Sequence, residues 1–338
     1  MAPAANLAVI SRSYPSGENV LDTSALDNAT PENADTTVTV AAGAFADELL
    51  DSYSDDRLLD YIGRAPYLVT SREQAIRLLS PNLVAKQIGY SSDEEALDEV
   101  CAMKRARAAG VRTPALRRLV PVDDEGIFYV VMDRVVGPTL ELVWRDLGLW
   151  GTIRAAWQLR VNLQLLHSIT SQTTGGLHSG RTRCIWLDDV RGPARHASPA
   201  TFTGYLNWWL VDCRPTQLTP RPDLVLRPAK EHVFIHQDLA PRNLIMDARG
   251  VLWIVDWGNA GFYPVYMEYL GMKPQIHDMP WLFERTWAAW WGRIRWSIFR
   301  WIAVGSFYRY RKAWRAFAAV SIRTQRFRMD RTPYSDDL

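Results

Sequence analysis

Residues 234–264 read FIHQDLAPRNLIMDARGVLWIVDWGNAGFYP. The stretch holds two short apolar runs separated by polar, turn-forming residues. His236, Asp238 and Asn243 stand at H-x-D-x-x-x-x-N spacing, and Asp256 closes the run VLWIVD thirteen residues after Asn243. In its plainest reading this is a β-hairpin, LIMD and VLWIVD joined by ARG, whose polar residues only make turns. The three polar residues, however, crowd onto one loop just before a strand, and each suits a defined task. A loop aspartate can accept a proton from a hydroxyl. An asparagine five residues on can offer its amide oxygen to a magnesium ion. An aspartate ending an apolar strand can hold that ion against nucleotide phosphates. Phosphoryl transfer asks a protein mainly for positioning and charge neutralisation, and these side chains supply both.

The run IHQDLAPRNLIMD, followed by LWIVDWGNAGFYPVYMEY, resembles the fungal branch of the aminoglycoside-phosphotransferase-like and choline-kinase-like proteins, small-molecule relatives of protein kinases. The resemblance implies an α+β, two-lobed protein kinase-like fold: a small N-terminal antiparallel-sheet lobe and a larger, mostly helical C-terminal lobe. It implies ATP and Mg2+ as cofactors, Asp238 as the catalytic base, and Asn243 and Asp256 as the metal ligands. Two departures from protein kinases point to a small-molecule acceptor. Ala240 stands where protein kinases carry a lysine, and no A-P-E follows Asp256.

A chain of 338 residues is long enough for two lobes around one cleft. Hydrophobic residues make up 48% and charged residues 22%, ordinary for a globular enzyme. Cys101, Cys184 and Cys213 lack metal-ligand spacing and suggest a reducing compartment. The opening MAPAANLAVISRS has no charged region before a long apolar core, so it does not read as a secretory signal. No uncharged apolar run nears the roughly 20 residues that span a bilayer, and a cytoplasmic location is expected. No nucleic-acid partner is expected. Charge is uneven along the chain: residues 1–60 hold eleven Asp and Glu against Arg12 and Arg57, while residues 285–338 hold eleven Arg and Lys312 against three Asp.

In chain order, residues 1–45 read as a disordered leader, 46–136 as a nucleotide-binding lobe, 137–325 as the lobe carrying the catalytic loop, metal site and acceptor site, and 326–338 as a fraying tail. A short amphipathic helix is expected over 55–63. YLV, AIRLLS and LVAKQI (67–88) read as three strands. The third carries Lys86, which by resemblance holds the α- and β-phosphates; on spacing alone it is equally a solvent-facing strand lysine. The turn TSREQ has no glycine, so Ser71 is the candidate for the phosphate loop, or simply a turn former. Residues 93–109 form a helix with acidic residues at its start and basic ones at its end. By resemblance Glu99 on this helix pairs with Lys86, with Glu95 the alternative one turn earlier. Residues 127–137 read as a buried strand entering a linker. The resemblance puts Met132 beside adenine and has the backbones of Asp133 and Val135 recognise it.

Two helices are expected over 139–148 and 151–168, with Trp157, Val161, Leu165 and Leu166 as the apolar stripe of the second. A long loop over 170–200 and a helix over 201–212 follow. Residues 281–316 hold seven of the fifteen Trp, interleaved with Arg. There, Trp287, Trp290, Trp291, Ile294, Ile298, Trp301 and Ile302 fit one helix face. The favoured reading makes that face core; the others are a wall for the acceptor or a membrane-surface contact. Together these readings describe an ATP- and magnesium-dependent phosphotransferase acting on a hydroxyl of a small molecule. The alternative is a non-catalytic nucleotide-binding scaffold of the same shape. A strongly basic C-terminal region suits an apolar or anionic acceptor better than a polycationic aminoglycoside.

Overall fold

LVAKQI forms the central strand of a small antiparallel sheet. The computed structural model describes residues 45–68, 76–88, 93–122, 127–184, 187, 192–213, 218–272, 279–327 and 332–334, all within one compact unit, 43–338. The sheet runs in the order β1 (Ile76–Leu78), β2 (Leu83–Ile88), β4 (Phe128–Asp133), β3 (Leu116–Pro121). Strand β2 pairs with β4 in full register, Leu83 opposite Asp133 through Ile88 opposite Phe128. Of the segment YLV, Tyr67 makes an isolated bridge to Arg77; Ser71 lies outside the described residues. Strand β3, LRRLVP, is an addition to the sequence reading.

Helix α1 (Asp55–Arg64) starts on the Ser54 cap, whose hydroxyl accepts from Arg57 N, and buries Leu58 and Ile62 against the sheet. Helix α2 (Asp93–Ala108) packs its Val100, Met103 and Ala106 into the main core. That core is continuous with the larger half of the molecule. It takes in Val84 and Ile88 from the sheet and Leu159, Leu163, Phe234, Ile254 and Trp257 from beyond it. The two-lobed α+β arrangement implied by the resemblance is the one observed.

The larger lobe begins with a single turn, α3 (Leu140–Val143), and the long α4 (Gly148–His167). The expected helix over 139–148 is therefore mostly turn. Then come β5 (Thr170–Ser171), α5 (Pro199–Val211), β6 (His232–Ile235), β7 (Leu244–Met246), β8 (Leu252–Ile254), β9 (Gly261–Tyr263), α6 (Tyr266–Gly271), α7 (Trp287–Val304) and α8 (Phe307–Arg326). Strands β5, β6 and β9 form one antiparallel sheet, and β7 with β8 the expected hairpin.

Two helix faces correct the sequence reading. Helix α4 buries Ala155, Ala156, Leu159, Leu163 and Leu166, while Trp157 and Val161 face outward. Helix α7 buries Ala289, Gly292, Trp296, Phe299 and Ala303; Trp287, Trp290, Trp291 and Trp301 are exposed. The cause is steric. Gly292 and Ala289 let α7 approach closely: a Cβ on Gly292 would lie 2.5 Å from Leu282 and 2.6 Å from Trp281. Trp144 then fills the seam, edge-on to Trp296 and Phe299 and donating to Gly292 O. Two arginines of α7 are drawn inward as well. Arg295 is buried and donates to Trp144 O at 2.7 Å. Arg300 stacks over Tyr269 and donates to its carbonyl at 3.0 Å.

His232, at the start of β6, is fully buried, edge-on to Phe202, with Nδ1 3.1 Å from Thr174 Oγ1. Burial lowers its pKa from 6.5 to about 4. The folded protein thus disfavours the charged ring. The associated stability is complete above 6.5 and is lost as pH falls from there toward about 4. The melting temperature should drop across that window in the wild type more steeply than in His232→Gln, whose side chain does not titrate; thermal melts of both at several pH values check this.

Candidate active site

The loop after β6 is built around a buried carboxylate. Glu268 on α6, fully buried, accepts from the backbone N–H of His236 and of Gln237, each at 3.1 Å. Gln237 adopts the left-handed region, φ 66°. Its side-chain amide holds that turn by donating to Arg183 O at 3.1 Å and Asn259 O at 2.9 Å. Helix α6 comes so close that a Cβ on Gly271 would sit 1.9 Å from Gln237 O. His236 is enclosed: its ring meets Trp257 at 4.6 Å and Nε2 lies 3.1 Å from Val255 O. It shapes the loop.

Asp238, 5% exposed, is held from two sides. Its Oδ2 accepts from Arg242 at 2.8 Å and from Asn243 Nδ2 at 3.0 Å. Asn243 Nδ2 also reaches Asp238 O at 2.9 Å, closing the loop on itself. The hairpin then folds back. Val255 N donates to Asn243 O at 3.0 Å, which sets Asn243 beside the residue that precedes Asp256.

Asp256 follows β8 with φ 67°, a conformation that aspartate tolerates better than most residues. Its Oδ1 meets Lys86 Nζ at 2.6 Å, and the same ammonium meets Glu99 Oε1 at 2.7 Å. Lys86 is 4% and Glu99 7% exposed. Burial alone would pull the lysine pKa down, but the charges of Asp256 and Glu99 outweigh it and the net shift is upward. Burial opposes the charged form of Asp256 too, yet Lys86 holds its pKa below the usual range. Glu99 is pushed upward, first by burial, against the pull of Lys86. Gly258, two residues on, lies under this group: a Cβ there would come 3.3 Å from Glu99 Oε2.

The alternative Glu95 pairs instead with Arg183. It belongs to a set of contacts that sequence reasoning missed, which tie α2 to the loop before α5. Glu94 meets Arg195 at 2.5 Å. Asp98, 2% exposed, accepts from His178 N at 2.7 Å, Ser179 N at 2.9 Å and Ser179 Oγ at 2.5 Å. Gly176 makes this possible, because a Cβ there would overlap the Asp98 carboxylate at 2.3 Å. The neighbour of Glu99 in sequence is thus anchored in the larger lobe. Arg242 and Glu268 were missed as well. Arg242 had a local signal, four residues from Asp238; Glu268, thirty residues downstream, had none.

Of the nucleotide candidates, Met132 is 8% exposed and packs in the main core, and β4 ends at Asp133. Asp133 N is bonded to Ala115 O, and its carboxylate accepts from Arg117 at 2.5 Å. Val135 lies just past the strand, partly buried. Among the described residues no group of three His, Cys, Asp or Glu gathers at metal spacing. Asn243 and Asp256 are two hard oxygen donors, a set that fits Mg2+, which takes one or two protein ligands and fills its shell with water and phosphate oxygens.

The family profile described as "APH: Phosphotransferase enzyme family" matches residues 67–273. The chain belongs to the APH phosphotransferase family. That match covers more than half of this APH-family protein, from Tyr67 to just beyond α6. No curated protein sequence matches it. Among solved structures it is similar to aminoglycoside phosphotransferase APH(3'')-Id from Streptomyces rimosus, solved with ADP and streptomycin. Identity there is 12%, coverage 80% of this chain and 99% of that one, and TM-score 0.45. It is similar also to APH(2")-IIa, solved with gentamicin (14% identity, 79% and 93% coverage, TM-score 0.41). A third is the Cydia pomonella granulovirus kinase PK-1 (15% identity, 62% and 56% coverage, TM-score 0.34). Likeness this distant says nothing about the acceptor of the APH-family protein.

Proposed function

We propose that this phosphotransferase moves the γ-phosphoryl group of ATP, with Mg2+, to a hydroxyl of a small molecule, in the cytoplasm. The observation that carries the reading is the double anchoring of one buried ammonium, Lys86, by Glu99 and Asp256, next to a loop that fixes Asp238 through Arg242 and Asn243. Lys86 grips the nucleotide phosphates and Glu99 holds it in place. Met132, with the backbones of Asp133 and Val135, borders the adenine, and Ser71 serves the phosphate loop. Asn243 and Asp256 would hold Mg2+, which supplies neutralisation of charge on the β- and γ-phosphates. Asp238 orients the acceptor hydroxyl and takes its proton as the new P–O bond forms and the bond to the ADP oxygen breaks. Arg242, on the same carboxylate, adds positive charge where the acceptor must sit.

That charge supports an apolar or anionic hydroxyl compound as acceptor over a polycation. The test is ATP turnover against a panel of hydroxylated compounds of graded charge, with and without chelator. Turnover that depends on magnesium and favours neutral or anionic alcohols is the expected result. Preferential phosphorylation of a polycationic sugar would remove the acceptor reading. Nucleotide binding without any turnover would remove the enzyme reading in favour of a scaffold.

A further inference from the structure

The outward side of α7 carries Trp287, Trp290, Ile294, Ile298 and Trp301 at helical spacing. Trp287 is 75% and Trp301 62% exposed, and the rings of Trp287 and Trp290 stack on each other at 4.4 Å. A shallow groove of about 440 Å³ runs along this face, lined also by Arg293 and Ser297. Large aromatic side chains left in water forgo the burial that stabilises most tryptophans, so a run of them marks a contact surface. The neighbouring α4 likewise exposes Trp150 and Trp157.

Charge identifies what the face meets. Arg295, Arg300 and Arg323 are bonded to backbone carbonyls inside the fold. Arg285 and Arg293 beside this face and Arg309, Arg311, Lys312 and Arg315 on α8 are exposed, and from residue 279 to residue 327 the sequence has Glu284 as its one carboxylate; α4, residues 148–167, has none. A second copy of this chain is a poor occupant. A two-fold contact sets a patch against itself, and Arg285 and Arg293 would meet their own copies with Glu284 as the one nearby carboxylate in sequence. The occupant must be negative, extended, and able to receive tryptophan rings side by side with guanidinium groups. We infer that this face docks on an anionic phospholipid surface. The rings of Trp287, Trp290 and Trp301 enter the headgroup layer, and the exposed Arg285 and Arg293 lie against lipid phosphates. Among the described residues no helix is long and apolar enough to cross a membrane, so α7 lies along the surface. The inference is independent of the acceptor.

Co-sedimentation of the full chain with vesicles tests it. Vesicles of phosphatidylcholine alone should leave the protein in the supernatant. Vesicles carrying about one-third phosphatidylserine should pellet it, less so as salt shortens the Debye length. Trp287→Ala combined with Trp301→Ala should abolish pelleting. Arg285→Glu should weaken it by about five-fold or more, the worth of one cation near such a surface. Both variants alter exposed residues and should keep the wild-type melting temperature. Three results overturn the inference: no pelleting with anionic vesicles; pelleting that the tryptophan variant leaves unchanged; or a wild-type dimer in sedimentation velocity that the same variant dissociates, which makes the face a protein interface.

Discussion

Asp238→Asn should lower the rate of phosphoryl transfer by about 10²- to 10⁴-fold, the usual contribution of a positioned proton acceptor, with nucleotide affinity within a few-fold of wild type. The geometry separates the two effects. Asp238 hangs on Arg242 and Asn243, and its backbone N–H lies 3.3 Å from His236 Nδ1. None of these touches Lys86, which is held by Glu99 and Asp256. Asparagine keeps the shape and loses the proton-accepting charge, so the loop should stay folded. ADP release in a coupled assay, run beside calorimetric titration of nucleotide, reads both quantities. An unchanged rate would show that Asp238 is no base. An equal loss of nucleotide binding would show that the loop had collapsed, and Asp238→Ala would then have to reproduce the collapse.

The site was legible in proportion to how local it is. Asp238, Asn243 and Asp256 lie on one loop and one hairpin, and their spacing alone suggested shared chemistry. Lys86 and Glu99 are short-range in sequence but reach Asp256 across 170 residues; the spacing of a V-A-K strand cannot express that, and the resemblance was needed. Glu268 and Asp98 were invisible because each works by accepting backbone N–H groups from a remote loop. Strand β3 was hidden by Arg117 and Arg118. Arg118 spends its charge on Leu50 O, Tyr53 O and Asp55, tying α1 and its leader turn to the sheet. Helix α7 misled because both of its faces are apolar at helical spacing. The buried face was decided by small residues that permit close approach, Ala289 and Gly292, and not by the largest ones.

The second large effect belongs to Lys86→Met. One ammonium, 4% exposed, neutralises two carboxylates that would otherwise face each other out of water. Methionine matches the length but strips Glu99 and Asp256 of their shared counter-ion, and breaking a buried pair in this way typically costs about 3–5 kcal/mol. The melting temperature should fall by several degrees and nucleotide affinity should fall with it. Adding Glu99→Gln removes one of the stranded charges, so the double variant should regain part of the stability but none of the affinity; that split tells a phosphate-binding lysine from a purely structural one. The pH dependence is also fixed by sign. Asp256 is held low, so its share of the stability begins to go as pH falls past the ordinary 3.8 and is gone below the lowered value; Lys86 is held high, so its share begins to go above the ordinary 10.5; Glu99 is held high, so the cost of its charge is relieved as pH falls toward 4.5. Between 3.8 and 10.5 the Lys86–Asp256 pair should not respond to pH, so the decline expected from 6.5 toward about 4 traces to His232 and is opposed by Glu99. A Lys86→Met protein that melts and binds nucleotide like the wild type would mean that the buried triad has no part in holding phosphate.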